Sequence, residues 1–248
     1  MKRFVIFLLI FVLMMTINPS FNKASAKINF IHPGLTVNKE QLDYAKQKVL
    51  EGKKPWIDGY EMIKKLRAFH PTQSGGDITE TFGDPDAQIL DWEPHPVEYY
   101  RDGPHHDDPY DMNRRYLETD GQIAYACALL WYFDDDEAYA QKAVEILNAW
   151  AYTLKEIDDE EDGSLSTCFG WPNMVLAAEV IRTTYDGWSQ ADQDKFKELL
   201  STEVLDATWK TYDKTWPCRN NQNCYGHFLI TCIAVYTEDE ELFNKMMV

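Results

Sequence analysis

The chain has 248 residues, 45% of them apolar, and a formal net charge of −17. The apolar content excludes a disordered or fibrous chain. The acidity excludes nucleic acid as a partner, because phosphate-binding surfaces are basic.

Lys2 and Arg3 precede an unbroken apolar run from Phe4 to Met15, and Ala24-Ser25-Ala26 supplies a small-residue cleavage site. This pattern predicts a signal peptide over 1–26, cleaved after Ala26, and a secreted or periplasmic location. The run is too short to span a bilayer, so no membrane attachment is expected after cleavage. Loss of Lys2, Arg3 and Lys23 takes three positive charges from −17 and leaves −20. An anionic ligand would then need a locally basic or hydrogen-bonding cleft. The remaining roughly 220 residues suffice for one domain, 27–248, with a sizeable core. Five cysteines leave at least one unpaired. Cys127 and Cys232 fall in apolar helical patterns, whereas Cys218 and Cys224 flank a polar loop and form the best disulfide candidate.

Asn38 and Gln41 make a capping-box pattern, and Leu42, Ala45 and Val49 recur at helical spacing up to Gly52, predicting a helix over 39–51. Pro55 at a first helical position, followed by Trp56, Tyr60, Ile63 and Leu66, predicts a second helix to about Phe69 that pairs with the first. From 71 to 117, Gly, Pro, Asp and His replace the apolar period. A loop of that length typically covers a binding site. Helical spacing resumes at Asp120 and again at Glu137, and Pro172 is read as opening another helix with Val175, Ala178 and Ile181. Ser189 caps a further helix extending toward Tyr212. Another runs from near Cys224 to Tyr236, and Thr237 with Glu240 caps one more that has barely begun at Val248. A chain cut short at its carboxy terminus is therefore expected. Without an alternating strand pattern, the fold class is all-α, with successive hairpins stacked around a ring or arc.

The richest chemistry lies in Arg219-Asn220-Asn221-Gln222-Asn223 with Tyr225 and His227, at the start of an apolar helix. Amides and a guanidinium hydrogen-bond a carboxylate, and a phenol or imidazole moves a proton. The competing reading is an Asn-rich helix cap with His227 in the core. His105 and His106 with Asp107 and Asp108 have the side chains of a metal site, but neighbours in a loop seldom converge on one ion, so neither metal nor cofactor is predicted. The loop instead reads as a cover over a sugar, with Arg101, Arg114 and Arg115 supplying charge. A solvated surface loop is the alternative. Asp120 and Glu179 offer the two carboxylates of a glycosidase. Trp131 and Trp150 read as core, leaving Trp171 and Trp188 as sugar platforms.

Several stretches together resemble one family. They are Phe30-Ile-His-Pro-Gly-Leu35, Gly52-Lys-Lys-Pro-Trp56, Thr119-Asp120 before Ala-Tyr-Ala-Cys-Ala-Leu-Leu-Trp-Tyr132, Tyr139-Ala-Gln-Lys-Ala143 and Ile146-Leu-Asn-Ala-Trp150. Ala177-Ala-Glu179 with Ile181-Arg182, Gly187-Trp188 followed by Asp192, and Asn221-Gln-Asn223 before Ile233-Ala-Val-Tyr236 extend the pattern. In order and spacing they resemble the alginate lyases among the polysaccharide lyases. The resemblance implies an incomplete (α/α) toroid of antiparallel hairpins, acting as a monomer on an acidic polysaccharide by β-elimination. It assigns carboxylate neutralisation to the Asn-rich segment, falling on Asn221 or Asn223. Asn220, Gln222, Arg219, Arg101, His105, His106 and Trp171 would bind substrate.

The sequence departs from the family's motifs at two points. Gln222 stands where an Asn-His pattern has histidine, and Cys224 where an Asn-Trp pattern has tryptophan. His227 becomes the substitute base and Tyr225 the acid. A lyase-like protein that holds a glycan without cutting it is the second expectation, and a glycosidase built on Asp120 and Glu179 the third.

Overall fold

The computed structural model describes residues 27–65, 88–102, 111–158, 162–215 and 220–247. Helix α1, Lys39–Leu50, starts at the predicted capping box: the Asn38 carboxamide accepts the Gln41 N–H at 2.9 Å and the Gln41 side chain accepts the Asn38 N–H at 3.0 Å. Such a cap contributes about 1 kcal/mol. Gly52, at φ +65°, supplies the left-handed residue past the helix end. Helix α2, Trp56–Lys64, folds back on α1.

The expected loop over 71–117 is shorter at its carboxy-terminal side. Strand β1, Tyr99–Tyr100, pairs in parallel with β2, Glu156–Ile157. Helix α3 spans Asp111–Asp134, beginning well before the predicted Asp120. Its first turns hide from a periodicity test because Asn113, Arg114, Arg115 and Glu118 are only half-buried, while Leu117 is fully buried.

Helix α4, Glu137–Thr153, is capped by Asp136, and α5 spans Gly163–Thr184. Pro172 therefore lies inside α5 rather than at its start. An interior proline costs about 3 kcal/mol. Burial offsets it, because Cys168, Trp171, Met174, Val175 and Ala178 are all fully buried around it. Ser189 caps α6, Gln190–Leu199, as expected, and a π-turn over Leu200–Val204 carries the helix into α7, Leu205–Thr215. Helix α8, Asn221–Thr237, is capped by Asn220, and α9 is Glu240–Met246. The α9 cap is Asp239, not Thr237, whose hydroxyl donates instead to the Ile233 carbonyl at 2.7 Å.

Helix α5 is the centre of the packing. It lies against α3 on one side and α8 on the other, with α4, α6, α7 and α9 packed behind this row. Behind it runs a chain of rings: Trp150 meets Trp171 at 5.8 Å, Trp171 meets Phe196 at 6.3 Å, and Phe196 meets Tyr236 at 5.7 Å. Such pairs contribute about 0.5–1.5 kcal/mol each beyond the area they bury.

The segment before α1 is strapped to the far end of the row. His32 contacts Glu179 and Glu238 at 3.0 Å each, and the Gly34 N–H reaches Glu179 at 3.2 Å. Arg182 donates to Glu179 and, at 2.8 Å, to the Tyr236 carbonyl.

Candidate active site

At the amino-terminal ends of the row, α3 and α5 touch backbone to backbone. A Cβ on Gly121 would stand 2.7 Å from the Gly170 carbonyl oxygen, and one on Gly170 would stand 2.4 Å from the Leu117 side chain. Only glycine permits this approach. It brings α3 side chains over α5: the Arg114 guanidinium lies 4.7 Å over the Phe169 ring, and the Arg114 Nε donates to Glu118 at 2.8 Å. Burial opposes the Arg114 charge, but the Glu118 hydrogen bond and carboxylate more than offset it, so the guanidinium stays protonated. On its other side Phe169 meets Tyr225 of α8 edge-on, 4.8 Å between centroids. A ladder Arg114–Phe169–Tyr225 thus joins the three helices.

The start of α8 divides the Asn-rich segment into two groups. The Asn220 carboxamide is spent on the helix cap, accepting the Asn223 N–H at 3.1 Å. Asn223 is buried, and its amide donates to the Tyr212 carbonyl of α7 at 3.3 Å. Asn221 is exposed, and one turn later Tyr225 is 44% exposed, so the two share a free face. Phe228 continues that face and Gln222 is half-buried at its edge. His227 is half-buried with its ring 6.2 Å from that of Tyr212. Two residues of helix turn Tyr225 and His227 about 160° apart. The phenol and the imidazole therefore point to opposite sides of α8.

Trp171 is fully buried between Trp150 and Phe196, so it cannot stack on a sugar, and its indole N–H finds no hydrogen-bond partner among the described residues. Trp188 is also core, its N–H donating to Asn148 at 2.9 Å. Trp150 is buried as expected. Arg101 is exposed and paired with Asp158 at 2.9 Å, beside the start of α5. His105, His106 and Arg219 lie outside the described residues, as does Cys218 with its pairing to Cys224.

The glycosidase reading is overturned. Asp120 is wholly buried and accepts the indole N–H groups of Trp92 and Trp150 at 2.6 Å each and the His95 N–H at 2.8 Å. Glu179, 2% exposed, is occupied by His32, Gly34 and Arg182. Both carboxylates fasten the fold and neither faces a groove.

A cavity of about 320 Å³ opens elsewhere, between α1 and the carboxy-terminal ends of α3 and α5. Its charged groups are already paired, Lys39 with Asp43 at 2.9 Å and Lys46 with Asp135 at 2.7 Å. The free face around Tyr225 is the better candidate. Sequence reasoning misses Phe169 there, because Pro172 reads locally as the start of α5. The i, i+4 spacing of Leu165, Phe169 and Asn173 was the available signal.

A mostly helical protein that gathers amides and a phenol on one exposed face suits recognition of a hydroxyl-rich ligand. The family model for alginate lyase matches residues 39–248. The chain belongs to the alginate lyase family. No curated protein matches it.

Proposed function

We propose that this protein is a secreted lyase that cleaves a uronate-containing, alginate-like polysaccharide by β-elimination. The observation that carries the reading is the shared free face of Asn221 and Tyr225 beside Phe169, within a chain of the alginate lyase family. The apolar run of Phe4–Met15 supports export. The row α3–α5–α8, backed by the other helices, supports an (α/α) toroid as the wider architecture.

The chemistry requires a neutralised carboxylate at C5, removal of the C5 proton and protonation of the departing O4. Asn221, assisted by Gln222, offers neutral amide donors to the carboxylate. With Arg114 and Arg101 each paired to a carboxylate, amides rather than bare charge suit this task. Tyr225 is the proton-transferring group on the same face. Since His227 points away, one phenol in both roles fits best: its oxygen takes the C5 proton as its own proton passes to O4, the C–H electrons form the C4–C5 double bond, and the C4–O4 electrons leave with O4.

The test is absorbance of unsaturated uronate product from the mature chain on a panel of uronate polymers, beside Asn221→Ala and Tyr225→Phe. Product from the parent chain and none from either variant supports the reading. Undiminished product in Tyr225→Phe would remove Tyr225 from it. A binding-only protein is favoured by Gln222 in place of the motif's histidine, and it predicts affinity without product.

A further inference from the structure

We propose that Asn173 is a further substrate-contacting residue, whose carboxamide meets a uronate carboxylate on the side of α5 that carries Phe169; this rests on the lyase reading of that face. Helix α5 is buried almost all round, and Asn173 is one of the few half-buried positions along it. It follows Phe169 by one turn, so it lies on the side that carries the Arg114–Phe169–Tyr225 ladder.

Opposite it on α3 is Gly121: a Cβ there would stand 3.2 Å from the Asn173 Cβ. The missing side chain at Gly121 is what lets α3 pass this close to Asn173. The amide has no hydrogen-bond partner among the described residues, in contrast to Asn220, Asn223, Asn148 and Asn113, each of which is bonded within the protein.

Asparagine is disfavoured in a helix interior, and here its amide is left to solvent, available to a ligand. Local rules broken without a structural return mark functional positions. An amide with two donors and an acceptor, one turn beyond Phe169, is suited to a carboxylate and its neighbouring hydroxyls. Asn221 on α8 and Asn173 on α5 would then reach the polymer from two adjacent helices.

The experiment measures oligouronate affinity, KM, kcat and melting temperature for the mature chain, Asn173→Ala and Asn173→Asp, on a free-acid uronate polymer and its carboxyl-esterified form. On the free acid, Asn173→Ala is expected to weaken affinity and raise KM about ten- to a hundredfold, the range for a hydrogen bond to a charged group, with little change in melting. Asn173→Asp is expected to lose more on the free acid than on the ester, because like charges then meet only on the former. Unchanged KM and affinity in Asn173→Ala, a lowered melting temperature alone, or equal losses of Asn173→Asp on both polymers would each overturn the proposal. If the parent chain binds but yields no product, the lyase reading falls while the affinity ratio still decides on Asn173. If it neither binds nor cuts, both fall.

Discussion

Tyr225 stands edge-on to Phe169 at an interplanar angle of 79°, so a side chain from α5 sets where the phenol of α8 points. Truncating Phe169 to alanine leaves Tyr225 without this stop. The expected result is a fall in kcat/KM of about ten- to a hundredfold, the scale of a misplaced reacting group, with a stability loss of roughly 2 kcal/mol for a half-buried ring. Phe169→Leu, which keeps apolar bulk, should recover most stability and less activity. Steady-state kinetics with thermal melts separates the two effects.

Adjacent asparagines at the start of α8 have opposite expected phenotypes. Asn220→Ala removes a helix cap and should cost about 1 kcal/mol, with Asn220→Asp restoring it, since an aspartate also caps. Asn221→Ala, at an exposed position, should leave stability within about 0.5 kcal/mol and abolish product. Denaturant melts and product absorbance on both variants check this crossed pattern.

The buried Asp120 carboxylate predicts a stability phenotype. In Asp120→Asn an amide N–H must face an indole or backbone N–H that now donates to oxygen. The expected loss is about 3 kcal/mol, a drop in melting temperature of roughly 6–12 °C for a domain of this size. Catalysis per folded molecule at low temperature should survive. A selective loss of activity with unchanged melting would return Asp120 to the active site.

Thiol reactivity should follow burial. Burial pushes the Cys127, Cys168 and Cys232 thiols up to about 12. The thiolate is the reactive form, so at pH 8 only about one part in ten thousand of each is reactive, and the fraction rises with pH. Exposed Cys224 should be labelled first in the native protein, and the other three only in denaturant. If Cys224 pairs with Cys218, its labelling will require prior reduction, which a thiol titration with and without reductant reveals.

Much of the helical order was legible in the chain because its signals are local. The Asn38–Gln41 capping box and the Ser189 cap each depend on residues within one turn, and the structure forms both. The apolar period that predicted a buried Trp150 is likewise short-range. Misreadings occurred where a distant partner decides. Pro172 reads locally as a helix start, and only burial of α5 against α3, α4 and α8 carries the helix through it. Trp171 and Asp120 are chemically apt for sugar and acid roles, and their neighbours from other helices remove them from both.

The sequence by itself determined a mostly helical chain, the family it belongs to, and the Asn-rich helix start that carries its candidate chemistry. Tertiary structure decided which of those side chains are available. Asn220 is consumed by the cap, Asn223 by α7, and Asn221 with Tyr225 is left on the free face, because helix rotation and neighbouring backbone fix each amide's partner. It also joined Arg114, Phe169 and Tyr225, which are far apart in sequence, through the close approach that Gly121 and Gly170 allow. Contacts of that kind depend on how whole helices pack, which no local stretch of residues encodes.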